Sequence, residues 1–347
     1  MAWGGSLTSS SAVGSKITFT PDTSTEGGYT VSSFKAPKKG VYQFELKGSG
    51  GSKGLASLGP DVVTDREYYS LADGGTGGKT IGYLLLEKDQ VVYVGCGGTC
   101  SAAFIASATG ANLSGINKDK LLFVAGAGGA GGSYGESNYK TGWNCYATKG
   151  GMGGGSSGAS GDICNSYPGG SGGTQSIGGQ PGGYESSSTF SGGHGSYGVG
   201  GVRTQNRWQT YVAISGRGGD GYYGGGGGHA YVNNGEPNSA RAYGGGGGSG
   251  YVKTAKLTVK DKTYTSSTSQ GGGATSGNNG SVTVTYYARA ELPIIFDGTQ
   301  LERIIFDGVE IESLIYNGTK LFIERIKRRF ARWYTSTKTA CRSRIPI

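Results

Sequence analysis

Apolar and polar residues alternate along the first 50 positions with the two-residue period of half-buried strands. Lys16-Ile17-Thr18-Phe19-Thr20 alternates, Tyr29-Thr30-Val31 follows, and Gly40-Val41-Tyr42-Gln43-Phe44-Glu45-Leu46-Lys47 sorts Tyr42, Phe44 and Leu46 onto one face and Val41, Gln43, Glu45 and Lys47 onto the other. A second group comprises Ile81-Gly82-Tyr83-Leu84-Leu85-Leu86, a Glu87-Lys88-Asp89-Gln90 turn and Val91-Val92-Tyr93-Val94. Leu121-Leu122-Phe123-Val124-Ala125 is apolar throughout, as strands buried on both faces are. Strand propensity then lapses over 126–280, apart from Lys256-Leu257-Thr258-Val259, and returns at Ser281-Val282-Thr283-Val284-Thr285-Tyr286-Tyr287.

What fills 126–280 is glycine with short aromatic islands. The chain has 73 glycines in 347 residues, with 35% hydrophobic and 16% charged residues. Glycine packs no side chain and loses the most freedom on folding, which excludes an ordinary helical protein. The 23 Tyr, 10 Phe and 4 Trp argue equally against disorder. From Gly169 the chain steps in threes, Gly-Gly-Ser, Gly-Gly-Thr, Gln-Ser-Ile, Gly-Gly-Gln, Pro181-Gly182-Gly183. About three residues per turn is the polyproline II period, and such helices pack side by side and exchange backbone hydrogen bonds where side chains are missing. Tyr197, Trp208, Tyr222, Tyr223, Tyr231 and Tyr243 interrupt the tracts, which favours packed helices over a flexible linker.

After Tyr287 the pattern changes. Ile294-Ile295-Phe296-Asp297-Gly298, Ile304-Ile305-Phe306-Asp307-Gly308 and Leu314-Ile315-Tyr316-Asn317-Gly318 recur every ten residues, and Asp-Gly or Asn-Gly between apolar runs is a hairpin signal. The expectation is a four-stranded meander over 291–322 that follows a glycine-rich domain over 1–290 and precedes a basic tail over 323–347. The meander exposes more apolar edge than a monomer tolerates, so Phe296, Phe306 and Tyr316 are assembly candidates. Ile326, Phe330 and Trp333 join them, because Ile323, Ile326, Phe330 and Trp333 follow helical spacing among Arg325, Lys327, Arg328, Arg329 and Arg332. A docking helix is preferred there to a helix that binds an acidic membrane or polymer.

Charge sharpens this division. The formal net charge is +9, but 319–347 hold nine basic residues and one acidic, so the body is nearly neutral and the tail basic, fit for an acidic surface and not for a specific nucleic acid. Met1-Ala2-Trp3-Gly4-Gly5 opens no secretory signal and no apolar run of about 20 residues spans a membrane, from which release by lysis, as of a virion protein, is expected.

Catalytic signals are weak. Gly126-Ala127-Gly128-Gly129-Ala130-Gly131 fits a dinucleotide fingerprint by letter only, because no amphipathic helix and no acid near 145–155 follow. Residues 73–80 resemble a phosphate loop but have Asp73 at the first glycine and a strand after it. His194 and His229 lie in Gly/Tyr sequence without the partners a metal or nucleophile site needs, so neither a metal nor another cofactor is expected, and no enzyme. Cys145 and Cys164 bracket a glycine loop and fit either a disulfide or two free thiols; Cys96 and Cys100 are close for unstrained pairing.

Gly40-Val41-Tyr42-Gln43-Phe44-Glu45-Leu46 with Gly48-Ser49-Gly50-Gly51, then Gly74-Gly75-Thr76-Gly77-Gly78-Lys79 before a strand, Val91-Val92-Tyr93-Val94-Gly95, Leu122-Phe123-Val124-Ala125-Gly126, and a closing Gly277-Asn278-Asn279-Gly280-Ser281-Val282-Thr283-Val284 form a recognisable order. It resembles the glycine-rich domain of the anaplastic lymphoma kinase and leukocyte tyrosine kinase ectodomains and their bacterial and phage relatives, over roughly residues 14–290. The resemblance implies an all-β fold, a tumour-necrosis-factor-like β-sandwich with inserted packed polyglycine II helices, used for binding. No kinase or transmembrane helix follows and the cysteines differ, so no receptor role or ligand-contact residue carries over. The Asp-Gly/Asn-Gly tail resembles the ends of prophage-encoded structural proteins of gut bacteria, and the glycine tracts resemble bundles in phage tail-tip adhesins.

Together these imply a virion surface protein, a phage tail fibre or receptor-binding protein, oligomeric with a trimer favoured, that contacts other virion proteins and a host glycan or protein receptor. A head or baseplate decoration protein and a bacterial cell-surface adhesin are the alternatives. Receptor contacts are expected in the long non-glycine interruptions, 184–190, 203–214 and 231–243. Arg203, Arg207, Trp208, Tyr211, Tyr231 and Tyr243 supply the aromatic faces and guanidinium donors, though Trp208 and Tyr211 equally suit anchoring the loop to the body.

Overall fold

The computed structural model describes residues 2–4, 7–22, 25–54, 68–136, 146–164, 167–183, 191–208, 211–232, 241–259 and 261–289, and short strands between 294 and 321. The chain is all-β and divides into two units, 1–289 and 290–347. The strands of the first are β1 (Ala2–Gly4), β2 (Lys16–Thr20), β3 (Tyr29–Lys35), β4 (Gly40–Lys47), β5 (Tyr68–Leu71), β6 (Gly78–Leu86), β7 (Val91–Gly97), β8 (Ala103–Ala106), β9 (Leu121–Ala125) and β10 (Ser133–Glu136). They continue with β11 (Tyr146–Ala147), β12 (Gln205–Trp208), β13 (Tyr211–Ile214), β14 (Ala230–Tyr231), β15 (Arg241–Ala242), β16 (Tyr251–Val252), β17 (Lys256–Val259), β18 (Lys262–Thr265), β19 (Ser267–Gly272) and β20 (Ser281–Arg289).

Two antiparallel sheets, β1-β2-β20-β4-β6-β19 and β16-β9-β8-β7-β3, share one apolar core in a sandwich-like arrangement. The alternation read in β4 sets its inner face. Tyr42, Phe44 and Leu46 are fully buried, beside Ile17 and Phe19 of β2 and Val282, Val284 and Tyr286 of β20, and they meet Phe34, Val94, Ile105 and Phe123 from the other sheet. Phe34 and Tyr42 pack edge-on at 5.5 Å. Outward, Glu45 accepts an ion pair from Lys79 at 3.2 Å. Gly82 and Gly95 lie inside strands because ring faces occupy their side-chain space: a Cβ on Gly82 would fall 2.4 Å from the Phe123 ring, and one on Gly95 2.2 Å from Phe104.

Three strands run on directly into glycine segments. The amides of Gly48, Gly51 and Gly54 donate to the carbonyls of Gly78, Gly75 and Ala72, and those of Gly78, Gly75 and Ala72 donate to Gly126, Gly129 and Gly132. Each ladder advances three residues per bond. The same step governs 244–249. There the amides of Gly245 and Gly248 donate to Ala130 and Ala127, those of Gly246 and Ser249 to Gly226 and Tyr223, and that of Gly247 to Ala159. Its carbonyls accept in turn from Gly170 and Gly173, from Gly151 and Gly154, and from Gly219 and Tyr222. Successive residues thus point to different neighbours, and 244–249 is enclosed by other backbone segments on all sides. A Cβ on Gly244, Gly245, Gly246, Gly247 or Gly248 would come within 2.0 to 2.3 Å of a different carbonyl oxygen each time. These glycines are required for the approach of backbones, not for an unusual φ.

In the second unit, β21 (Ile294–Phe296) pairs β22 (Thr299–Leu301), β23 (Ile304–Phe306) pairs β24 (Val309–Ile311), and β25 (Tyr316–Asn317) pairs β26 (Lys320–Leu321). Among the described residues these are three separate hairpins, which corrects the expected four-stranded meander. The third hairpin pairs Asn317 with Lys320, so its register falls one residue later than the repeat predicts.

Candidate functional site

The glycine segments end away from the sandwich in two small sheets. In the sheet β12-β13-β10-β5, Trp208 pairs Tyr211, Tyr211 pairs Glu136, and Glu136 pairs Tyr68, so these four residues form one row. In the sheet β11-β15-β14, Arg241 pairs both Tyr146 and Tyr231. Direction follows from the ladders: Gly126 bonds beside the sandwich at Gly78, while Gly132 bonds to Ala72 and Thr148 just before β10 and after β11. The connections 55–67, 137–145, 209–210 and 233–240 therefore leave and re-enter the described structure at the end far from the sandwich.

This arrangement sorts the candidate residues. The segment 203–214 is a hairpin of β12 and β13 and not an irregular loop, with Trp208 and Tyr211 at its closing pair and Arg207 exposed one position before. Tyr231 is half-buried at the edge of β14, its ring 6.4 Å from that of His229. Arg203 lies at the other end of β12 and pairs with Glu26, which fixes it to the sandwich. Tyr243 is 3% exposed and its hydroxyl donates to the Cys164 carbonyl, so it serves packing and does not face a ligand. Burial also raises its pKa. Cys96, Cys100 and Cys164 are free buried thiols, and Cys145 lies outside the described residues. Burial pushes the thiols of Cys96 and Cys100 up to about 12 and about 11. Phe296, Phe306 and Tyr316 fall on strands of the second unit, while Ile326, Phe330 and Trp333 lie outside the described residues.

Sequence reasoning passed over Tyr68, Glu136, Tyr146 and Arg241, which share the end rows but are far apart along the chain. It also passed over a buried cluster where the sandwich meets the glycine segments. Asp220 is 2% exposed; its Oδ2 accepts from the Tyr29 hydroxyl at 3.0 Å, and its Oδ1 from Arg217 Nη2 at 2.7 Å and the Gly200 amide at 2.8 Å. Arg217 also donates to the Cys100 carbonyl, and Tyr29 accepts from the Ala102 amide. Burial pushes the Asp220 carboxyl up while Arg217 and the other donors oppose it. Gly27, at φ +73°, turns the chain beside Arg217. The only legible signal was the presence of charge within a glycine tract. With these lone pairs occupied and the group buried, the cluster ties two layers together and offers no acid or base to a substrate.

Among the described residues no group of three or more His, Cys, Asp and Glu is placed to hold a metal ion, and no helix is long and apolar enough to cross a membrane. His229 is buried and His194 exposed, at separate places in the glycine segments. No protein-family model matches the chain, and no curated protein sequence matches it.

Proposed function

We propose that the chain is a non-enzymatic virion surface protein, a phage tail fibre or receptor-binding protein that mediates host attachment. The observation that carries this reading is the shared end row of Trp208, Tyr211, Glu136 and Tyr68, with Tyr146, Arg241 and Tyr231 in the adjoining sheet. A body of hydrogen-bonded glycine backbone that carries two small sheets at the end far from the sandwich is suited to presenting a recognition surface there. The three-residue step of bonding partners is that of packed polyglycine II helices, and the two sheets around one core suit a tumour-necrosis-factor-like sandwich. On this reading the protein is an oligomer, a trimer by preference, and 290–347 is its module for assembly into the particle.

Substitution of Arg207, Trp208 and Tyr211 by Ala, read by adsorption of particles to host cells beside a thermal melt, tests the attachment role. Lost adsorption with an unchanged melt supports it. Full adsorption removes the hairpin from the receptor site, and a lowered melt assigns the residues to packing. Antibody labelling of particles in negative stain tests the virion assignment separately.

A further inference from the structure

On the flank of the molecule, away from the end rows, four tyrosines and three lysines come together from four stretches of chain. Tyr222 and Tyr251 stack at 4.2 Å with 12° between their planes. Tyr223 meets Tyr222 edge-on at 5.4 Å, and Tyr197 packs edge-on against both Tyr222 and Tyr223. All four rings are half-buried, so each leaves some surface to solvent. The connection between β8 and β9 folds beside them through two short 3-10 turns, Leu113–Gly115 and Lys118–Lys120. Tyr197 fastens it by donating to the Ile116 carbonyl.

The polar groups here have unspent capacity. Lys118 Nζ donates to the Tyr223 hydroxyl at 2.6 Å and lies 4.5 Å over that ring and 4.7 Å over Tyr197. Having accepted that bond, the Tyr223 hydroxyl keeps its own proton to donate. Lys253 donates to the Asp119 carbonyl, and Lys120 is exposed. Among the described residues no carboxylate forms an ion pair with Lys118, Lys120 or Lys253, so three ammonium groups beside the rings keep their charge uncompensated. The hydroxyls of Tyr222 and Tyr251 likewise have no hydrogen-bond partner among the described residues. Asp119 is the one acidic side chain in these turns.

We infer that this flank is a binding site for an anionic saccharide, a chain of uronic-acid or similarly carboxylated sugars. Aromatic surface accepts the C–H face of a pyranose ring, the phenol groups donate to its hydroxyls, and unpaired ammonium groups meet its carboxylates. A single-stranded nucleic acid also combines aromatic and basic contacts, but it needs open ring faces on which bases stack in succession. Here Tyr222 and Tyr251 cover one face of each other, and the remaining rings meet edge to face, which favours the smaller and more hydroxylated ligand. The site does not depend on the particle assignment or on the end rows.

The test titrates the full-length protein with oligogalacturonate, its neutral methyl ester and poly(U) RNA. Oligogalacturonate should bind at least tenfold more tightly than the ester, and raising NaCl from 0.05 to ~0.5 M should weaken it as screening requires. K120E and K253Q, whose ammonium groups hold no buried contact, should each weaken uronate binding several-fold with an unchanged melt, and the control K35Q should not. Equal binding of acid and ester, or no binding, overturns the inference. Full binding by the K120E/K253Q double variant overturns the location and assigns any uronate affinity to the basic segment 319–347. Tighter binding of poly(U) than of uronate overturns the ligand class.

Discussion

The amide of Gly246 donates to the carbonyl of Gly226 at 2.8 Å, and the amide of Gly226 donates onward to Ser171 at 2.9 Å. One interior glycine thus links two neighbours through its backbone alone, and the space where its side chain would be is occupied. A Cβ on Gly226 would stand 1.9 Å from the Gln180 carbonyl oxygen.

Gly226→Val should therefore cost about 3 kcal/mol or abolish soluble expression, because the obstacle is backbone and cannot rotate away. Gly183→Ala should be nearly neutral, since its nearest neighbour is the Ser191 hydroxyl at 3.5 Å. Urea denaturation of the two variants compares them. Equal stability would remove the requirement for glycine at 226.

Hydrogen exchange should be slow at the amides of 244–248. Four of them donate to backbone carbonyls and that of Gly244 to the Thr148 hydroxyl, and all are buried. Exchange at free-peptide rates in this segment would contradict the bonding pattern.

Asp220→Asn should destabilise the protein by about 3 kcal/mol, because it leaves Arg217 buried without its counter-charge. Tyr29→Phe keeps the charge pair but removes the hydroxyl that donates to the same carboxylate and accepts from the Ala102 amide, and should cost about 2 kcal/mol. Chemical denaturation of both variants checks the order; a larger loss from Tyr29→Phe would shift the weight of the cluster to the hydroxyl.

The thiols of Cys96 and Cys100 should resist iodoacetamide at pH 8 in the folded protein and react once urea is added, because burial holds them protonated up to about 12 and about 11. The folded state grips these protons more tightly than the unfolded chain, in which thiols ionise near about 8.5. Their contribution is accordingly complete below that value and is lost as pH rises through the range above it, so the melting temperature should fall from pH 9 to 11. Tyrosines such as Tyr29 and Tyr197, also raised by burial, add a fall of their own above about pH 9, so a shallower fall in the Cys96→Ser/Cys100→Ser variant than in the wild type assigns the difference to these thiols, and equal slopes would remove them from it.

By itself the sequence determined the strands with a clear period. Tyr42, Phe44 and Leu46 of β4 and all of the apolar run of β9 but the half-buried Leu122 are buried as their patterns require, because alternation and continuous apolarity translate directly into faces of a pleated strand. It also marked the step of three in the glycine tracts, which depends on neighbouring residues only. Tertiary structure alone decided what those tracts bond to. Gly246 reaches Gly226 and Gly129 reaches Gly151 through backbone groups that every residue carries, so the letters of the sequence do not distinguish one glycine partner from another. For the same reason the segment 203–214 gave no sign of pairing with β10, and Tyr243 read as an exposed aromatic when it is a buried one. The meeting of Tyr29 with Asp220, and of Lys118 with Tyr223, likewise waits on the folded chain, because each joins residues whose local sequence carries no trace of the other.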